Sequence, residues 1–292
     1  MADTPALDAL LRRDRAVTIA GLAALCVLAW LYLLNGAGLG MSAWEMTTSS
    51  LFPHTRAEAP TPMVMSDMPG MDIRGMSTAA DSSARWTVSA WALTIAMWWV
   101  MIIAMMTPSA APTILLYAQV HRHAVAQGQL ETKRAPTGAF AAGYLFVWLA
   151  FSVAAACFYW LLNQSGLISA GTMGSQSRWL SAGVLIAAGL YQVSPLKNVC
   201  LAHCRAPSQF LSQHWRPGVG GAFRLGVLHG AYCVGCCWML MALLFVGGVM
   251  NLIWIAALTL VVLMERALPV GAWVGRSAGA VLVAWGIATL LV

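Results

Sequence analysis

One run in this chain places imidazole and thiol donors inside an apolar segment: His229-Gly-Ala-Tyr-Cys233-Val-Gly-Cys236-Cys237. No charged residue falls between Arg224 and Glu265, so a helix through the run would hold these donors at membrane depth, where such groups mark a site by default. On a helix, His229, Cys233 and either Cys236 or Cys237 recur at i, i+4 and i+7 or i+8 and share one face. Cys236 and Cys237 diverge by about 100° at 3.6 residues per turn, so one of the two is expected to join His229 and Cys233. Soft thiolates with imidazole suit Cu(I) and zinc; three small buried hydrophobes are the bland alternative. A second group, Cys200, His203 and Cys204, fits within a single helical turn. It supplies three donors, enough for linear or trigonal Cu(I) and one short of tetrahedral zinc. It is not a haem-attachment signature, because its histidine precedes the second cysteine.

Methionine supplies a third set of donors. Residues 41–85 contain seven methionines, and Met63, Met65, Met68 and Met71 sit around a helix-breaking Pro69-Gly70. Exposed thioethers suit Cu(I), with Asp67 and Asp72 available to the harder Cu(II); an ordinary polar linker is the alternative. Further on, Met97, Met101 and Met105 repeat every fourth residue along one helix face, a stripe that serves packing as readily as ligation. Pro108 and Pro112 would kink the same helix. Glu265 is the only carboxylate after Glu131. His229 lies nineteen residues before Gly248 and Glu265 seventeen after it, so an antiparallel hairpin would bring them to similar depth. There Glu265 could orient the imidazole or carry a proton; as a plain boundary residue it would pair with Arg266.

The elements that position these donors are membrane helices. At 60% hydrophobic and 9% charged, the chain falls far from a soluble domain, whose charged share is about 25%. Apolar windows near 16–36, 88–118, 138–162, 178–194, 224–247, 250–265 and 274–292 predict an all-α, polytopic transmembrane bundle of about seven spans. Twelve of the sixteen basic residues then fall on one side, which places the amino terminus inside and the carboxyl terminus outside. The expected organisation is a cytoplasmic tail and first span (1–40), a Met-rich extracytoplasmic loop (41–87) and a six-helix membrane domain (88–292) with an inner Cys/His loop at 195–223. The first apolar run is read as an uncleaved anchor. The net charge of +6 follows topology and lacks the context of a nucleic-acid site. No phosphate-binding loop for an ATP-driven pump is present.

The stretches 97–112, 191–207 and 229–241, with Met264-Glu265, resemble a family of bacterial integral membrane proteins described as predicted metal-binding, with a copper chaperone label. The resemblance covers roughly residues 88–270 and implies a metal-handling role. The reading that unites these features is a bacterial inner-membrane protein that binds Cu(I), with zinc as second candidate, and delivers it to a membrane cuproenzyme or copper carrier. In that scheme the outer methionines capture the ion, Met101 and Met105 escort it, and the His229–Cys233 face holds it. Two alternatives stay open: a quinone-coupled thiol-disulfide oxidoreductase using Cys233 and Cys236, and a non-catalytic assembly subunit with small-residue contact faces.

Overall fold

The computed structural model describes residues 4–38, 47, 86–128, 135–168 and 173–291, with the backbone alone for 4–14. The described residues are helical and carry no strand, only an isolated antiparallel bridge between Ile168 and Ser175. The helices are α1 (Thr4–Leu34), α2 (Val88–Ala126), α3 (Thr137–Gln164), α4 (Arg178–Gln192), α5 (Pro195–Arg205), α6 (Pro207–His214), α7 (Gly218–Ala242), α8 (Leu252–Ala267) and α9 (Gly271–Leu291), with a single turn at Leu244–Gly247 after α7.

Helix starts follow local chemistry. Thr87, Ser177, Ser194 and Asn251 cap α2, α4, α5 and α8, each side chain accepting from a backbone N–H of the first turn. Pro195 and Pro207 stand in the first turns of α5 and α6, where a missing N–H costs nothing. The α4–α5 junction at Val193-Ser194 bends the chain by 60°. By contrast, Pro108 and Pro112 are carried within the continuous α2.

Among the described residues, five segments are long and apolar enough to cross a membrane: Arg15–Leu34, Val88–Ala126, Thr137–Gln164, Gly218–Gly247 and Gly271–Leu291. The bent pair α4–α5 makes a sixth if it counts as one span. The expected seventh corresponds to α8, which at 16 residues is shorter than the roughly 20 that cross a bilayer upright. These helices are compatible with a membrane protein.

Close backbone contact sets how the helices meet. A Cβ on Gly226 of α7 would collide with the Phe140 carbonyl of α3, and one on Gly143 of α3 with the Phe223 carbonyl of α7. The two helices therefore approach as only small residues allow. Gly189 of α4 and Gly279 of α9 do the same for a second pair. The α3–α7 contact decides the site, because it presses the cysteine face of α7 against Tyr144.

Candidate metal centre

Three of the four predicted donors in the α7 run are sulfurs, and all three are buried, with Cys233 fully so. Helix geometry separates the last two. Both Cys236 and Cys237 donate to the Cys233 carbonyl, at 3.1 and 2.8 Å. Cys237 then turns toward α2, its sulfur 4.0 Å from Met106 Sδ. Cys233 and Cys236 share one partner, Arg266, while Cys237 stays within reach of both sulfurs.

Arg266 extends from the last turn of α8 into this sulfur pair. Its Nη2 donates to Cys233 Sγ at 2.8 Å and to Cys236 Sγ at 3.1 Å, while Nη1 donates to Ser109 Oγ of α2 at 2.8 Å. A donor common to both sulfurs keeps them no farther apart than the two bonds laid end to end. Tyr144 closes the other side of Cys233: its hydroxyl lies 3.2 Å from the sulfur and donates to the Met106 carbonyl at 3.3 Å.

The predicted inner loop 195–223 is largely helical, and α5 lies against α7. Cys204 interacts with Cys236, and a Cβ on Gly235 would stand 2.8 Å from Cys200 Sγ. His203 stacks flat on Tyr232 of α7, with ring centroids 4.1 Å apart and planes 2° from parallel. All three members of the second cluster thus contact α7, and its two cysteines approach the Cys233–Cys236 turn. Tyr191, at the end of α4, donates to the Gly235 carbonyl and ties the α4–α5 bend to the same turn.

The placement of Glu265 corrects the hairpin expectation. It meets neither His229 nor Arg266. Lys197 Nζ of α5 lies 2.7 Å from both of its oxygens, and Gln192 Nε2 donates to it at 2.8 Å. Lys197 also donates to Gln192 Oε1. Counting residues from the turn gave depth along the hairpin but not azimuth; one residue further round α8, Arg266 rather than Glu265 faces the thiols.

His229 is buried among Phe140, Tyr144 and Phe210, with ring centroids 6.0, 5.7 and 5.5 Å away. Neither ring nitrogen has a hydrogen-bond partner among the described residues. Met101 and Met105 are buried in the core of α2; the thioether beside the thiols belongs to Met106. Met63, Met65, Met68 and Met71 lie outside the described residues. The residues that sequence reasoning missed are Arg266, Tyr144, Ser109, Met106, Lys197 and Gln192. Lys197 and Arg266 carried a signal, as cations at the ends of charge-free windows.

Among the described residues, no group of three or more His, Cys, Asp or Glu side chains is gathered as a metal cage. What is gathered is a pair of sulfurs, with further thiols and a thioether beside it. All seven cysteines are free thiols. Two thiolates suffice for linear Cu(I), and neighbouring soft donors suit an ion that is passed on. The donor set fits a soft cation carried as cargo.

A family model described as PpoB2, copper chaperone, matches residues 95–289, which include all of these donors. No curated protein and no solved structure matches the chain.

Proposed function

The chain belongs to this copper chaperone family, and from that premise we propose that it binds Cu(I) between Cys233 and Cys236 and delivers it to a membrane-bound cuproenzyme or copper carrier. The observation that carries the reading is the sulfur pair held by one guanidinium nitrogen. Thiolates select soft ions, and the low polarity around α7 excludes water that would compete for the metal. Cys204, Cys200 and Cys237 with Met106 provide adjacent soft donors for entry or exit, and the unpaired His229, one turn before Cys233, is the nearest imidazole on the same helix. Zinc remains the competing metal.

The proposed setting is the bacterial inner membrane, with seven spans when α4–α5 counts as one bent span and α8 as a short one. The positive-inside bias supports an inner amino terminus and an outer carboxyl terminus. The methionines at 63, 65, 68 and 71 then belong to the outer face as a capture segment, with Met101 and Met105 along α2 as packing neighbours of the path. Neither the thiol-disulfide nor the assembly-subunit alternative draws support from the family match.

Anaerobic metal analysis of the purified protein tests the proposal. Near-stoichiometric copper is expected, falling to background in the Cys233→Ser, Cys236→Ser double variant. Protein that stays metal-free after growth in copper, or copper untouched by the double replacement, refutes it.

A further inference from the structure

Arg266 brings a cation to the sulfur pair, and among the described residues no carboxylate answers it. Its hydrogen bonds go to Ser109, Cys233 and Cys236, and its Nε is buried without a partner among the described residues. The neighbouring carboxylate, Glu265, is committed to Lys197 and Gln192. The side chains that meet the guanidinium are a hydroxyl and two thiols. A guanidinium keeps its proton, and one buried in apolar surroundings needs a negative charge beside it, which here only a thiolate or an anionic complex of the sulfurs can supply. The site therefore calls for one net negative charge.

Metal ions differ in whether they supply it. Ligating thiols bind deprotonated. Two thiolates around Cu(I) carry a single net negative charge, which Arg266 cancels. Two thiolates around a divalent ion are neutral, and the guanidinium charge then stands alone beside a metal centre. Tyr144, Ser109 and Met106 add no compensating charge, and the Lys197–Glu265 pair balances itself.

Resting on the Cu(I)-binding reading above, we infer that Arg266 is a positioning residue that makes the Cys233–Cys236 pair select a soft monovalent ion over a soft divalent one. The guanidinium holds the two sulfurs on one donor before metal arrives and neutralises the complex afterwards. Loss of its charge removes the penalty on divalent ions and weakens the hold on monovalent ones.

Ag(I) and Cd(II) separate charge from softness, since both bind sulfur. Full-length protein, reduced and anaerobic in detergent, is titrated with each ion, and protection of Cys233 and Cys236 from alkylation is read by peptide mass spectrometry. In the wild type Ag(I) is expected to protect at lower concentration than Cd(II). Arg266→Gln is expected to shrink that advantage by about 10–100-fold, the range for groups that support metal ligands, while Arg266→Lys retains most of it. A purely structural role would weaken both ions together and leave the ratio unmoved. Equal protection by the two ions in the wild type, or an unchanged ratio in Arg266→Gln, overturns the inference while leaving metal binding intact. Failure of Ag(I) to protect either thiol in the wild type defeats the Cu(I) reading itself. Should Arg266→Gln not fold, the wild-type ratio decides.

Discussion

Glu265 and Arg266 are neighbours in the last turn of α8, and each sends its charge to a different place. Glu265 enters a closed set: Lys197 and Gln192 meet its carboxylate, and the two opposite charges balance. Arg266 enters an open one, where its partners are a hydroxyl and two thiols that carry no obligatory charge. The closed set joins α8 to the α4–α5 bend and needs nothing more. The open set joins α8 to α2 and α7, and in the proposed reading an anionic metal complex completes it. Within one helical turn, a structural ion pair and a binding site are thus told apart by whether their charges close.

The largest expected effect comes from opening the closed set. Glu265→Ala leaves Lys197 buried at 1% side-chain exposure without a counter-charge. Removing one member of a buried pair costs about 3–5 kcal/mol, so the thermal unfolding midpoint in detergent should fall sharply. The double variant Lys197→Met, Glu265→Leu should recover most of the loss, because packed apolar groups replace a buried pair at little net cost. A well-tolerated Glu265→Ala would erase the distinction drawn between the two sets.

The open set should respond less in stability and more in binding. Replacing Cys233 and Cys236 together by Ala strips the guanidinium Nη2 of its partners, a loss of about 1–3 kcal/mol for buried donors left unsatisfied. Its clearer signature is linkage. Cu(I) should raise the unfolding midpoint of the wild type, since a ligand of the folded state stabilises it, and should leave the double variant where it was. Chelating the copper should return the wild type to its metal-free midpoint.

That separation was only half legible in the sequence. Helix periodicity set Cys236 and Cys237 apart and left open which of them joins Cys233; in the structure Cys236 shares Arg266 with Cys233, while Cys237 lies beside Met106. The α5 cysteines could be placed on one helical turn, but their approach to α7 depends on the 60° bend after α4, which spacing does not encode. Arg266 was counted among the inner-side charges, because side-chain direction on α8 follows from packing against α7 rather than from residue number. The short α4 and α8 match the apolar windows 178–194 and 250–265 in length, but hydropathy could not show that α4 continues across the bend into α5.

Tyr144 links the α7 thiols to α2, touching Cys233 Sγ and the Met106 carbonyl with one hydroxyl. Tyr144→Phe keeps the ring that packs on Trp148 and His229 and removes only that link. A loss of about 1 kcal/mol is expected, measured as a small fall in unfolding midpoint. Cu(I) should still bind, because both sulfurs and Arg266 remain. Loss of copper in this variant would make the phenol a full member of the open set.

His229 offers the smallest effect and the one with a change of sign. Its two ring nitrogens are buried with no partner, a cost the metal-free fold carries without return. His229→Leu exchanges the imidazole for an apolar side chain of similar size among Phe140, Tyr144 and Phe210. Without metal, the variant should be more stable than the wild type by about 1 kcal/mol, toward the low end for an unsatisfied buried polar group. With Cu(I) the order reverses only where His229 joins the two sulfurs as a third donor, since both proteins keep the sulfur pair and leucine lacks just the imidazole. Unfolding midpoints of both proteins with and without Cu(I) decide the matter. A variant that gains stability in both conditions confines the metal to the sulfurs and leaves His229 in the aromatic packing around α7.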